Sequence, residues 1–378
     1  MRVLVDYTSG IAQSAGIGRY TRNLVDAMLR MDHADSFTLF SADKPGASRG
    51  FPSAPNVRAV VGPISNKRMT TLWHRFRTPL PIEALAGAAD VFHAPDFSLP
   101  PVARARKVVT IHDLAFITHP ECSVPSLRNY LLRVTPHAIR SADRIIADSQ
   151  RTADDLVTLM GAPREKITAI YLGVDPGLKR IDDLVRLTET ANQYGLRGPF
   201  FLAVGTIEPR KNYARLIQAF ARINGMPGAP THLVIVGRKG WLYESVFETL
   251  EYSRLGDSVR ILENVSDSDL AAMYSMASAL VTPSLYEGFG IPPVEAMAYG
   301  LPVIVSDGGS LPEVVGDAGL VVPAMDVDAL ADAMLRVASD EALRAEMSRR
   351  SLERARLFDW GAAARATLDV YRQVVDAH

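Results

Sequence analysis

The sequence predicts an α/β protein made of two similar domains in series, each a parallel β-sheet covered by helices. Three observations carry that expectation. Short apolar runs alternate with amphipathic stretches, the pattern of parallel strands connected through helices. A polar helical segment at 182–194 interrupts the alternation, which starts afresh at 200–204. No short internal repeat or low-complexity segment accounts for the two halves, so their likeness is architectural. The 378 residues suit two domains, and 48% hydrophobic residues can furnish two cores.

The expected strands of the first half are 3–5, 37–40, 57–61, 91–93, 108–111, 145–147 and 167–171. After the first of them, Ile17, Tyr20, Leu24, Ala27, Met28 and Met31 fall on one helical face, which should be core. The second series runs through 200–204, 233–236, 259–262, 279–282, 303–305 and 320–322. The domain change is placed near 175–197, giving a first domain of 1–180, a second of 181–357 and a final helical segment of 358–378.

Composition narrows the class. A formal charge of −1 argues against a dedicated nucleic-acid binder. The single cysteine, Cys122, excludes an internal disulfide and is read as a bystander. No run approaches the roughly twenty apolar residues of a membrane span. The opening MRVLVDYTSG lacks the basic and long apolar regions of a secretory signal, so a reducing cytoplasmic setting is expected.

The most informative stretch is 284–295, SLYEGFGIPPVE. Proline is tolerated in a helix's first turn, so a helix should begin near Pro292 or Pro293, with Glu287 in the loop and Glu295 in the first turn. Gly288 and Gly290 let backbone approach a ligand, and free amides at a helix start favour an anion such as a diphosphate. The two carboxylates would then hold hydroxyls beside it. An acidic pair alone is also explained by Glu295 complementing the helix dipole and Glu287 lying solvated in a loop. In 205–212, GTIEPRKN, Arg210 offers a planar fork of donors and Lys211 a compact charge, a pair suited to a departing diphosphate or else an exposed basic turn.

Other positions are weaker singly. Gly16 and Gly18 follow the first strand, but Thr21 replaces the third glycine of a dinucleotide fingerprint, which disfavours a nicotinamide dehydrogenase. His112 ends a strong strand and fits either core packing or a polar contact to substrate. His93, His119 and His137 show no metal spacing. The strings 267–269 and 326–328, both DxD, open helical segments and are read as capping and dipole residues. No metal is therefore expected. The segment 66–77 interleaves basic residues with Met69, Leu72, Trp73 and Phe76; it fits a face seated on an anionic membrane and equally a surface helix packed inward.

The seven residues between Glu287 and Glu295, together with GIGRY at 16–20, TIHD at 110–113, VGRKGW at 236–241 and SDGGSLPEVVGDAG at 306–319, resemble retaining glycosyltransferases of family 4 along essentially the whole chain. The resemblance implies a GT-B architecture, two Rossmann-like domains facing across a cleft, with ligands beyond the carboxyl ends of the strands. It implies that 358–378 crosses back to the first domain.

The resemblance also implies roles. Arg210 and Lys211 bind the donor diphosphate, Glu295 the ribose hydroxyls and Glu287 the sugar, with His112 near the reaction centre. Gly16, Gly18, Gly288, Phe289 and Gly290 approach the donor through backbone, and Arg238, Asn264 and Val265 lie in loops near the nucleobase or phosphates. No carboxylate stands out as a nucleophile for double displacement, so same-face attack is expected. The texture is similar to bacterial mannosyltransferases of O-antigen or exopolysaccharide synthesis. GDP-mannose is the first choice of donor, ahead of UDP-, ADP- and TDP-sugars. The implied partners are that donor and a glycan or polyprenyl-diphosphate-linked acceptor, and no cofactor is implied; peripheral contact of 66–77 with the cytoplasmic face of the inner membrane stays one of the two readings of that segment given above. A nucleotide-sugar epimerase and a non-catalytic sugar-nucleotide-binding protein are the competing classes.

Overall fold

Every strand of the first unit runs parallel to its neighbours, because each is reached through a crossover rather than a hairpin. The computed structural model describes residues 1–14, 16–31, 34–46 and 49–377. Its seven-stranded sheet is ordered β3-β2-β1-β4-β5-β6-β7. These are β1 (Arg2–Asp6), β2 (Ser36–Ser41), β3 (Val57–Val61), β4 (Val91–Ala94), β5 (Arg106–Ile111), β6 (Arg144–Ala147) and β7 (Ile167–Ala169). Strand β4 is buried at every position, which is why it reads as a continuous rather than an alternating apolar run.

Within β4, His93 is a core histidine: Nδ1 lies 2.6 Å from the Tyr371 hydroxyl and Nε2 2.8 Å from Thr110 Oγ1. Burial, with the nearby His112 charge, lowers its pKa to about 3, so it is neutral. Tyr371 belongs to the helix Trp360–Asp376, which packs in this first unit against the helix Ile17–Leu29, with Tyr20 and Trp360 rings 6.2 Å apart. On Ile17–Leu29 the buried face comprises Tyr20, Thr21, Leu24, Val25, Ala27 and Met28; Ile17 and Met31, expected there too, are half-buried at its ends.

The second unit holds a six-stranded parallel sheet ordered β10-β9-β8-β11-β12-β13. Its strands are β8 (Phe200–Val204), β9 (His232–Val236), β10 (Val259–Leu262), β11 (Ala279–Thr282), β12 (Val303–Ser306) and β13 (Gly319–Val322). The winding reverses between β8 and β11, the topological switch point at which open α/β sheets bind ligands. One face of this sheet packs Phe201, Leu233 and Ile235 against Leu216, Ile217 and Phe220 of the helix Tyr213–Ile223 and Met334 of the helix Val327–Ser339.

The first unit spans Met1–Leu114 and Pro125–Gly173 together with the C-terminal helix; the second spans Ala115–Val124 and Val174–Asp359. The polar helix Leu184–Gln193 is part of the second unit. Asp183 caps it, Arg186 pairs with Asp269 at 2.5 Å, and the Tyr194 hydroxyl donates to the same carboxylate at 2.9 Å. Residues 115–124 join that unit through local chemistry: Trp241 Nε1 donates to the Cys122 carbonyl at 2.7 Å, and the His119 and Tyr286 rings lie 5.8 Å apart. Cys122 itself is buried, and burial pushes its thiol up to about 11, leaving it unreactive.

Two local expectations need correction. The helix after the glycine turn begins at Ile291 with both prolines in its first turn, as expected, but Glu295 lies just past that turn rather than in it. The segment 66–77 is not one helix: an α-helix at Asn66–Thr70 passes into a π-helical turn at Thr71–Arg75. Met69 and Trp73 point inward, with Trp73 Nε1 bonded to the Leu80 carbonyl at 2.9 Å, while Phe76 stays 67% exposed among exposed basic residues. No helix among the described residues is long and apolar enough to cross a membrane.

Candidate functional site

The loops after β8 and β11 flank the switch point of the second sheet, and they bring Arg210, Lys211 and Glu287 together. Arg210 Nη1 donates to Glu287 Oε2 at 2.7 Å and Lys211 Nζ to Glu287 Oε1 at 2.6 Å. Ser284 Oγ donates to the same Oε1 at 2.6 Å, and Arg210 Nη2 donates to Glu208 Oε1 at 2.6 Å. Glu287 is 7% exposed, so it is no solvated loop residue. Burial alone would raise its pKa, but the Arg210 and Lys211 charges and the Lys211 and Ser284 hydrogen bonds outweigh burial and bring it down to about 2. The cluster thus holds two cations and the carboxylates of Glu208 and Glu287, with the cations oriented by short charge-assisted bonds.

The glycine-rich strand ends are consequences of crowding. A Cβ on Gly309, whose φ is +66°, would lie 2.2 Å from the Glu287 carbonyl oxygen. Ser310 donates from its backbone nitrogen to that carbonyl at 2.9 Å and from Oγ to the Phe289 carbonyl at 2.9 Å. The SDGGS stretch therefore builds the Glu287 loop from behind. Phe289 is buried with its ring 5.6 Å from Phe358, so backbone is what this position can present to a ligand. Gly288 is likewise buried, and Gly290 caps the helix Ile291–Ala298 with φ +99°.

Glu295 stands apart from this cluster. It is 5% exposed and accepts from the Tyr274 hydroxyl at 3.2 Å, and Tyr274 stacks on Tyr299 at 5.2 Å. In the loop after β9, Lys239 sits over the Phe247 ring at 4.6 Å, a cation–π contact, whereas Arg238 is exposed. Asn264, after β10, is exposed and left-handed at φ +57°, with Val265 half-buried beside it.

In the first unit, the four central strands each deliver an ionisable side chain at the carboxyl end: Asp6 from β1, Asp96 after β4, His112 after β5 and Asp148 after β6. His112 Nδ1 lies 2.6 Å from Asp148 Oδ2 and Nε2 2.9 Å from the Pro95 carbonyl. A carbonyl only accepts, so Nε2 carries a proton, and the carboxylate holds a second on Nδ1. Burial opposes the charge, but Asp148, the Pro95 carbonyl and Asp96 prevail and raise the pKa to about 9. Both ring nitrogens are occupied by protein groups, so His112 offers a fixed positive charge. Burial and the Asp6 charge push the Asp96 carboxyl up to about 6 against the pull of His112.

The glycines of the first loop differ in kind. A Cβ on Gly18 would lie 2.3 Å from the Gln13 carbonyl oxygen, so this residue serves helix packing, whereas Gly16, at φ +56°, faces open space. Sequence reasoning did not single out Glu208, Ser284, Ser310, Asp96 or Asp148. Glu208 and Ser284 lay inside motifs already noticed; Asp96 and Asp148 carried one signal, their position one to three residues beyond predicted strands.

Two family models match, Glycosyltransferase Family 4 over residues 14–178 and Glycosyl transferases group 1 over residues 188–354. The O-antigen chain mannosyltransferase B of Escherichia coli is 31% identical over 371 residues, covering 94% of this chain and 96% of that protein. Among solved structures, sucrose-phosphate synthase from Thermosynechococcus elongatus superposes with a TM-score of 0.80 at 24% identity over 100% of both chains. WaaG, a glycosyltransferase involved in lipopolysaccharide biosynthesis, superposes with a TM-score of 0.72 at 16% identity over 98% of this chain and 99% of its own. At these identities the structures are similar in fold, which is GT-B.

Proposed function

We propose, from the premise that the chain belongs to glycosyltransferase family 4, that it moves mannose from GDP-mannose onto a glycan or lipid-linked oligosaccharide, with retention and without a metal. The observation that carries the reading is the Arg210–Lys211–Glu287 cluster beside the switch point of the second sheet. Departure of a nucleoside diphosphate leaves negative charge on the leaving group and oxocarbenium-like charge on the sugar. Preoriented cations stabilise the first without reorganising at the moment of reaction. Lys211 directs one of its three N–H bonds at Glu287, and the others can meet phosphate oxygens. Glu287 accordingly serves as the counterion that holds both cations in place, and the lone pair left on Oε2 can accept from a sugar hydroxyl.

No paired carboxylate nucleophile is assigned. The acceptor hydroxyl attacks the anomeric carbon on the face the diphosphate is leaving, the C–O bond to the diphosphate breaks, and the departing phosphate oxygen takes the hydroxyl proton. Glu295 holds the ribose hydroxyls, and the loops carrying Arg238 and Asn264 border the base. The charge of His112 and its companions Asp96 and Asp148 serve the sugar and acceptor. Mannose is preferred because a relative that matches along nearly the whole chain is a mannosyltransferase. The working site is the cytoplasmic face of the inner membrane, where 66–77 presents Phe76 and its basic neighbours.

Calorimetric titration with GDP, UDP, ADP and TDP, with and without EDTA, tests the donor, and the anomeric configuration of the product tests retention. Selective GDP binding that survives EDTA and weakens roughly ten- to a hundredfold in Arg210→Ala is expected. Preference for another nucleotide replaces the donor. Nucleotide binding without turnover favours the non-catalytic class, and an inverted product rejects same-face displacement.

A further inference from the structure

The first unit contains a second polar constellation, at the end of β5 opposite His112. A cavity of about 570 Å³ is lined by Arg77, Lys107, Arg133 and Arg140, with His74 and His137 between them. Lys107 sits at the start of β5, and Arg133, His137 and Arg140 recur at helical spacing along one face of the helix Pro125–Ser141. None of the four cationic side chains makes an ion pair among the described residues. Of the acids near the start of β5, Asp143 accepts the Lys107 backbone N–H at 2.7 Å and faces Arg106 at 3.8 Å, and Asp90 pairs with Arg2 at 2.5 Å. Beyond burial, the positive charges of Arg140, Arg77 and Lys107 hold His137 below its usual pKa, showing that they converge on one space. Burial and then His137 take His74 down to about 4.

Two backbone features mark the same place. Arg77 is held in the left-handed region at φ +51°, a conformation that a long side chain adopts at a conformational cost. The turn at Thr71–Arg75 that delivers Trp73 and His74 is π-helical, a form that concentrates at functional sites. Like charges gathered without a counterion repel, and an anion in their midst removes that repulsion.

We infer that this cavity binds a phosphate group carried on a small organic moiety. The four cations meet the phosphate, and Trp73, Leu99 and Pro101 form an apolar wall for its substituent. The volume falls within the range of about 300–1,000 Å³ typical of small-molecule sites and exceeds what inorganic phosphate needs. Phe76, exposed beside Arg77, suits a phosphate presented from a lipid surface, but a soluble phosphate ester offers the same chemistry.

The test uses the full chain and two probes, glycerol 3-phosphate in calorimetry and phosphatidylglycerol vesicles in flotation. The Arg133→Gln/Arg140→Gln variant changes two exposed residues, with Arg133→Lys/Arg140→Lys as the charge-keeping control. Binding of at least one probe is expected, weakened about tenfold or more in the glutamine variant and largely kept in the lysine variant. Binding of glycerol 3-phosphate identifies a soluble ester, and binding of vesicles alone identifies a lipid headgroup. GDP titration of the glutamine variant should match the wild type, which separates this site from the nucleotide site. Binding of neither probe, or equal binding by the glutamine variant with an unchanged circular dichroism spectrum, overturns the inference.

Discussion

Replacing Glu287 with glutamine removes one charge while keeping the shape, and the structure sets the size of the effect. Folding takes this carboxyl from an ordinary pKa of 4.5 to about 2, against its own burial, because two cations and a serine donate to it. At about 1.4 kcal/mol per pH unit, the ionised form contributes about 3 kcal/mol to folding near neutral pH. Since folding lowers the pKa, that contribution is complete above about pH 4.5 and is lost as pH falls through about 2. Urea unfolding of wild type and Glu287→Gln, followed by tryptophan fluorescence, should therefore differ by about 3 kcal/mol near pH 7 and by roughly half as much near pH 3. A difference that is equal at the two pH values would refute the reasoning, because it would mean that shape rather than charge holds the loop. The variant should also bind nucleotide differently, since the cations lose their orienting counterion.

Three further outcomes are expected. His112 has a folded pKa raised to about 9, so its stabilising charge is fully present below about pH 6.5 and is lost as pH rises through about 9. Its imidazole resonances should titrate there, and Asp148→Asn should move the midpoint down by more than one pH unit, as read by NMR. Gly309→Ala should cost about 2 kcal/mol or more of unfolding free energy, from a left-handed backbone and a Cβ 2.2 Å from the Glu287 carbonyl, with a wild-type denaturation midpoint counting against it. Tyr371→Phe leaves His93 Nδ1 without its hydroxyl partner and should cost about 1–2 kcal/mol, measured by thermal unfolding.

Strand positions were legible because a buried parallel strand must be apolar on both faces, and runs such as those of β4, β8 and β11 have few other uses. The second sheet's ligand-facing loops were legible for a related reason: glycines, a Pro-Pro pair and adjacent cations cluster where strands end. The two prolines marked the start of the helix to within a residue, at Ile291, and that one residue is what carries Glu295 just past the first turn. Segment 66–77 looked like one amphipathic helix because an α-helix and a π-helical turn share nearly the same apolar spacing over so short a length.

Local order, burial periodicity and the residue types at the strand ends were properties of the sequence by itself, since each depends on neighbours within a turn or two. Partnership was decided only by the tertiary structure. Glu287 meets Arg210 and Lys211 across some 76 residues, His112 meets Asp148 across 36, and His93 meets Tyr371 across 278. Residues 115–124 join the second unit against their order in the chain, and the place of Trp360–Asp376 in the first was implied by the family resemblance but by no periodicity of the sequence. A charge shows its type in the sequence, but its pKa and partner depend on distance and burial, which exist only once the sheets have formed.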